Sequence, residues 1–341
     1  MQLLVVAGSS GGHIMPAKRV AQAWLEEAGS CVWLGAANSL EASVAKQLGL
    51  PFEIHHPVNL RAIMKVGMWR TTVSLLQWFR EIYSLLKKNK PDALFLTGSY
   101  VTLMPGLVAK ILGIPVYVHE QNVVMGYANK CLTYLCRRLF LGLPMSAGMA
   151  YVGNPVKIVG NHEVKHEVQN LLIIGGSQGC RYFDETLPDL LSSCSDLVVI
   201  HIAGGRQAEV QARYDALGIN AQVISFTDKI DDLYRWSSMV IARGGAMTLA
   251  ELAAYALPAI IVPLPTASKN HQYLNALFYH QHKAIDVLQQ DCASSKSKIH
   301  SFISDIKRRT GFSHQIKKLH KESSAHSMVD TIVGDLNADR A

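Results

Sequence analysis

One stretch of this sequence occurs twice. LLVVAGSSGG (residues 3–12) and LLIIGGSQGC (residues 171–180) share one form: an aliphatic run, then a turn rich in glycine and serine. Their starts lie 168 residues apart in a chain of 341. A short aliphatic run without polar alternation suits a strand buried on both faces, as in a parallel sheet. Glycines directly after it let the backbone turn sharply into a helix or approach a ligand. A strand, glycine loop and helix repeated at half the chain length predicts an α/β protein of two Rossmann-like parallel-sheet domains facing across a cleft.

The rest of the chain alternates accordingly. Cys31–Leu34, Ala93–Leu96 and Pro115–Val118 read as strands of the first half, and Ser39–Leu48 and Thr72–Lys88 as helices. In the latter, Leu75, Leu76, Phe79, Ile82, Tyr83 and Leu86 recur at helical spacing. Leu197–Ile200, Val223–Ser225, Met239–Ala242 and Ala259–Val262 read as strands of the second half. The turn at Gly153-Asn154-Pro155 predicts a linker, so the domains are expected over 1–156 and 157–324. After Gln289 the chain is polar and basic without a clear strand. Its last helix, about 325–341 with its core at Ala325–Leu336, is expected to pack back on the first domain.

Composition narrows the function. Hydrophobic residues make up 49% and charged residues 17%, which excludes a disordered chain. A net charge of +7 favours an anionic partner, whether nucleic acid, a phosphorylated metabolite or an acidic membrane face. Six scattered cysteines without a CxxC pair read as reduced thiols. No basic segment precedes Leu3–Ala7, so a signal peptide is not expected. Ala93–Val118 carries one charge, Lys110, but Gly98, Pro105, Gly113 and Pro115 divide it into strand, turn, helix and strand rather than a membrane span.

Four polar clusters follow predicted strands, at the sheet edge where ligands bind in such folds. The first is Gly8-Ser9-Ser10-Gly11-Gly12-His13, where free N–H groups at a helix start attract anions. It does not match GxGxxG, which weakens a dinucleotide reading, and His13 stands at the loop–helix junction. Gly175-Gly176-Ser177-Gln178-Gly179 repeats the design. His119-Glu120-Gln121-Asn122 follows Pro115–Val118 and suits a cleft wall, with Asn129 and Lys130 on the next helix. Arg243-Gly244-Gly245-Ala246-Met247-Thr248 opens a helix carrying Glu251, whose carboxylate either accepts hydrogen bonds from a ribose diol or complements the helix dipole. Asn270-His271-Gln272 with Asn275 adds amide groups, which both donate and accept and so suit sugar hydroxyls.

Taken together, GxxGGH, GSYV, HEQN, NK, GNPV, GGSQG, RGGAxTxxE and NHQxxNA stand over about 9–277 in an order and spacing that resembles the MurG family. The resemblance implies a GT-B fold and an inverting transferase. It would move N-acetylglucosamine from UDP-N-acetylglucosamine to the muramyl C4 hydroxyl of a lipid-linked peptidoglycan precursor, converting lipid I to lipid II. It also implies roles. Glu251 would hold the ribose, and Ser177, Gly176 and Gln178 the donor diphosphate. His271 and Gln272 would read the sugar, with Lys157, Thr227, Ala246, Met247 and Thr248 completing the donor side. Ser10, Gly11, Gly12, Tyr100, Thr102, His119, Asn122 and Asn129 would line the acceptor side. His13 is the first choice of general base, since an imidazole titrates near neutrality, and Glu120 the second.

The sequence departs from the family's pattern at the first loop (Ser9-Ser10), at Ser99 and Thr102, at Cys180 and at Lys157. Lysine lacks arginine's fork of donors, which bears on a uracil contact. No DxD-type carboxylate pair is found, so neither metal nor cofactor is expected. The expected partners are the UDP-sugar, lipid I and the anionic inner leaflet, with no nucleic acid, at the cytoplasmic face of the bacterial plasma membrane. For that contact the segment Leu60–Arg70 supplies Ile63, Met68 and Trp69 for insertion and Arg61, Lys65 and Arg70 for head groups. A UDP-sugar epimerase, a glycolipid synthase and a non-catalytic membrane binder are the alternatives.

Overall fold

The computed structural model describes residues 1–8, 10–58, 68–146, 148–157, 159–160, 162–176, 179–194, 196–290 and 294–341. The chain divides into two compact units, Met1–Val156 with Ser323–Ala341, and Lys157–Glu322.

In the first unit the strands are β1 (Gln2–Val6), β2 (Ser30–Gly35), β3 (Phe52–Ile54), β4 (Ala93–Leu96), β5 (Val116–Glu120) and β6 (Arg138–Leu141). The helices between them are α1 (Gly11–Glu27), α2 (Leu40–Gln47), α3 (Met68–Asn89), α4 (Leu103–Ile111) and α5 (Tyr127–Leu132). The strands form one parallel sheet in the order β3-β2-β1-β4-β5-β6. After Gln2, β1 is apolar because it is covered on both faces. Leu3 and Val5 pack with Val20 and Trp24 of α1, while Leu4 and Val6 pack with Trp78, Ile82 and Leu86 of α3.

The second unit repeats the plan. Its strands are β7 (Asn170–Ile174), β8 (Val198–Ile202), β9 (Ala221–Ile224), β10 (Met239–Ala242), β11 (Ala259–Ile261) and β12 (Asp286–Val287). Its helices are α6 (Arg181–Leu191), α7 (Gln207–Ala216), α8 (Ile230–Trp236), α9 (Ala246–Ala254), α10 (His271–Gln281), α11 (Ser295–Ser304) and α12 (Ile306–Leu319). The parallel order is β12-β11-β10-β7-β8-β9. Counted from its own first strand, this is the order of the first unit. In each sheet the strand direction of winding reverses beside the glycine-loop strand, between β1 and β4 and between β7 and β10. A crevice opens outside the carboxyl ends at such a switch point, and ligands bind there.

The last helix, α13 (Ser324–Ala338), returns to the first unit. Met328, Val329 and Ile332 are buried with Val20, Ala21 and Trp24 of α1. At its far end Asp335 accepts from both Arg138 Nε and Nη2 at 2.6 Å, and from the Tyr117 hydroxyl at 3.4 Å.

Much of the proposed membrane segment, residues 59–67, lies outside the described residues. Its end forms the first turn of α3, where Trp69 is 80% exposed. Leu76 on α3, and Leu107 and Ile111 on α4, are also exposed, and the two helices pack on each other. No helix among the described residues is long and apolar enough to cross a membrane.

Candidate active site

At the switch point of the first unit, the loop after β1 enters α1 with Ser10 as N-cap and Gly11 and Gly12 as the first helical residues. The Ser10 side chain makes no capping bond, and its carbonyl accepts from His13 N and Ile14 N. The earliest N–H groups of such a helix have no intrahelical acceptor, which gives the loop its affinity for anions. His13, half-buried in the first turn, reaches across to β4. Its Nδ1 lies 2.7 Å from the carbonyl oxygen of Thr97. A carbonyl only accepts, so Nδ1 donates to it, which leaves Nε2 as the ring nitrogen able to accept.

Thr97 is itself held. Its carbonyl accepts a second hydrogen bond, from Gln121 Nε2 at 3.0 Å, which ties the ends of β4 and β5 together. Beyond Thr97 the chain turns through Gly98 at φ 101° and Ser99 at φ 74°. Ser99 occupies a left-handed backbone region that favours glycine, so it carries strain of about 1–3 kcal/mol. The turn is locked on two sides. Thr102 donates its hydroxyl to the Ser99 carbonyl at 2.7 Å. On the other side Gly8 leaves room for Ser99, because a Cβ there would lie 2.3 Å from the Ser99 Cβ.

The HEQN run is placed differently from the expectation of a cleft wall. His119 and Glu120 are the last residues of β5, and both are buried with Gln121. Burial pushes the His119 imidazole down to about 3, so it stays neutral. Glu120 is engaged by four donors. Oε1 accepts from Asn122 N at 3.0 Å and Asn122 Nδ2 at 3.1 Å, and Oε2 from Gly126 N and Asn129 Nδ2 at 2.9 Å each. A carboxylate saturated in this way organises its loop and is poorly placed to take a substrate proton. To serve as the alternative base, Glu120 would first have to give up one of these bonds. Thr102 and Asn129 are buried as well, and their side chains hold the loops after β4 and β5. Ser10, Gly12, His13, Tyr100 and Asn122 remain accessible.

The switch point of the second unit holds a cavity of about 520 Å³. Gly175, Gly176 and Gly179 from the loop after β7, Gly245 and Thr248 at the start of α9, and Leu264 to Thr266 and Gln272 line it. The glycines are dictated by close approach: a Cβ on Gly175 would meet Cys180 N at 2.6 Å, and one on Gly179 would meet the Ala203 carbonyl at 2.7 Å. Ser177 and Gln178 lie outside the described residues. Arg243 borders the cavity with its guanidinium fixed, donating to the carbonyls of Val262 and Pro263 and to Gln290 Oε1, and lying 4.9 Å over the Phe183 ring.

Two elements hold the second wall. Gln272 Oε1 accepts from Leu264 N at 2.9 Å, and Asn275 Nδ2 donates to the Gly244 carbonyl at 3.2 Å. Asn275 therefore pins the RGG turn, and Gln272 lines the cavity while holding the chain after β11. His271, at the start of α10, has Nδ1 2.8 Å from the Ser268 carbonyl. Ala246, Met247 and Thr248 form the first turn of α9, and Glu251 lies beyond it. That position removes the helix-dipole account of Glu251, because the dipole's effect falls off within the first turn. The Glu251 carboxylate accepts instead from the Tyr234 hydroxyl at 2.8 Å. Lys157 is engaged with Asp231 at 2.7 Å, and Thr227 Oγ1 accepts from Lys229 N. Among the expected donor residues the cavity is lined by Gly176, Thr248 and Gln272; Arg181 and Thr266 also line it and were not anticipated. Arg181 follows the glycine loop directly, and a cation adjoining an anion-binding turn was the available signal.

Comparisons with known proteins agree along the whole chain. The glycosyltransferase family 28 N-terminal domain matches residues 3–141 and its C-terminal domain residues 170–332. A protein of Pseudomonas fluorescens named UDP-N-acetylglucosamine–N-acetylmuramyl-(pentapeptide) pyrophosphoryl-undecaprenol N-acetylglucosamine transferase is 31% identical over 344 residues, covering 96% of this chain and 97% of that one. One of the same name from Neisseria meningitidis is 34% identical over 304 residues, covering 84% and 85%. Among solved structures, Acinetobacter baumannii MurG matches with a TM-score of 0.82 at 24% identity, over 98% and 99% of the two chains. The UDP-GlcNAc 2-epimerase of Neisseria meningitidis, at 12% identity and a TM-score of 0.70, shares the fold.

Proposed function

The chain belongs to glycosyltransferase family 28 and, within it, to the MurG family of GT-B-fold N-acetylglucosamine transferases, and from that premise we propose the reaction and the residues that carry it. The protein transfers N-acetylglucosamine from UDP-N-acetylglucosamine to lipid I in peptidoglycan synthesis. The observation that carries this reading is the pair of glycine loops at equivalent switch points, in a chain whose relatives bear that name over nearly its full length.

In this reading the second unit binds the donor. N–H groups of the Gly175–Gly179 turn and the first turn of α6 receive the diphosphate, Glu251 holds the ribose diol, and Gln272 and His271 read the sugar hydroxyls. The first unit binds the acceptor, with the start of α1 receiving its diphosphate. The muramyl C4 oxygen attacks the anomeric carbon as that carbon's bond to the UDP oxygen breaks, and the bonding electron pair leaves with UDP. Oriented N–H groups stabilise the growing charge on the diphosphate at no cost of reorganisation. The hydroxyl proton passes to Nε2 of His13, whose tautomer is set by the Thr97 carbonyl. Glu120 supports this by fixing the loop that bears Asn122.

The acceptor's polyprenyl chain requires contact with a bilayer. Exposed Trp69, Leu76, Leu107 and Ile111 on α3 and α4 support a peripheral membrane face on the first unit. The direct test is incubation with labelled UDP-N-acetylglucosamine and a short-chain lipid I analogue. Formation of the disaccharide lipid and UDP is expected. Epimerised UDP-sugar formed without acceptor, and no disaccharide with it, would refute the assignment.

A further inference from the structure

Tyr234 and Glu251 meet inside the second unit through one hydrogen bond. Tyr234, on α8, is 1% exposed, and its hydroxyl donates to Glu251 Oε2 at 2.8 Å. Its ring is fixed by the Tyr255 ring, with centroids 5.1 Å apart, and Tyr255 is anchored in turn by its hydroxyl on Asp231 Oδ1 at 2.7 Å. Burial, reinforced by the nearby Glu251 charge, pushes the Tyr234 phenol well above its ordinary range. It therefore remains a hydrogen-bond donor at every pH near neutrality.

Glutamate has three side-chain torsions, and α9 by itself fixes only where the side chain begins. Recognition of a diol by a carboxylate needs the plane of the carboxylate to be held, because two hydroxyls must meet two oxygens together. Each carboxylate oxygen can accept two hydrogen bonds, so a bond from Tyr234 to Oε2 holds the group without by itself excluding a ribose hydroxyl. We propose that Tyr234 is a positioning residue for Glu251 and thereby sets the preference for a ribonucleoside over a 2′-deoxyribonucleoside diphosphate donor. This rests on the reading that Glu251 binds the ribose. Tyr234 touches no ligand itself. The competing account is purely structural, with Tyr234 tying α8 to α9 and leaving selectivity unaffected.

The test is calorimetric binding of UDP and of 2′-deoxy-UDP to the full-length protein, which requires no acceptor. The wild type should prefer UDP by roughly 10- to 100-fold, the value of a diol hydrogen bond to a charged acceptor. Glu251→Ala should bring the ratio near one. Tyr234→Phe, which removes only the hydroxyl, should weaken UDP about tenfold, leave 2′-deoxy-UDP little changed, and so lower the ratio about tenfold. A loss of folded protein lowers the apparent binding of both ligands alike and leaves the ratio unmoved. If Glu251→Ala loses the preference and Tyr234→Phe keeps it, the positioning role is overturned while the ribose contact stands. If the wild type shows no preference, or Glu251→Ala retains it, the ribose contact is wrong and the proposal falls with it.

Discussion

Replacing Glu120 by Gln separates its two conceivable roles. The substitution preserves shape and keeps Oε1, but puts an NH2 group where Oε2 accepts from Gly126 N and Asn129 Nδ2. Two donors then face a donor. Gly126 is exposed, so water can satisfy its N–H. Asn129 is 2% exposed and keeps only its 3.2 Å bond to the His119 carbonyl. An unmade buried hydrogen bond costs about 1–3 kcal/mol, and the bonds to Oε1 lose their charge assistance as well. The sum should destabilise the first unit by about 2–3 kcal/mol, lowering its melting temperature by roughly 4–12 °C. Calorimetric melting, read beside kcat with a soluble lipid I analogue, measures both quantities. Unchanged melting with a hundredfold fall in kcat would mean that the carboxylate does chemistry and not scaffolding, and would return Glu120 to the position of base.

Three further outcomes are expected. His13→Ala should lower kcat about 100- to 10,000-fold while UDP affinity and melting temperature stay near wild type; a near-normal kcat would remove His13 as base. Asp335→Asn should cost about 1–2 kcal/mol at neutral pH, discounted because Arg138 is half exposed. The Arg138 hydrogen bond holds the Asp335 carboxyl below its ordinary range, so its stabilisation is complete above about pH 4 and is lost on further acidification through the native value. The melting difference between wild type and Asp335→Asn should therefore close as pH falls, and a constant difference would contradict the ion pair's role. Trp69→Ser with Leu76→Ser should release the protein from anionic vesicles in a sedimentation assay, at up to about 1.5–3 kcal/mol per inserted side chain, without affecting turnover of a soluble acceptor; full co-sedimentation would place the membrane face elsewhere.

The central strands were legible in the sequence because they are buried on both faces. After their first residues β1 and β7 are continuous aliphatic runs, and close contacts dictate glycine behind each: the Ser99 Cβ at Gly8, and backbone atoms under 3 Å away at Gly175 and Gly179. The repeat therefore predicted the two sheets. The short strands β3, β6 and β12 escaped notice. They stand at sheet edges with partly exposed residues, and so carry little hydrophobic signature.

The site was legible as a set of motifs but not as a division of labour. A polar residue at a strand end reads alike whether it faces a ligand or a neighbouring loop. His13 and Glu120 were therefore both candidates for the base, in that order, and Glu251 a candidate for the ribose. What separates them is contact across long stretches of chain. His13 meets Thr97 at a separation of 84 residues, and Glu251 meets Tyr234 at 17. Glu120 is engaged within its own loop, by Asn122, Gly126 and Asn129, but only because burial at the end of β5 turns the carboxylate inward. Sequence alone determined where polar groups gather, since hydrophobic period and glycine placement are local properties. Tertiary structure decided which groups hold one another, because partners such as Thr97 for His13 and Tyr234 for Glu251 are chosen by the packing of strands and helices and not by local spacing.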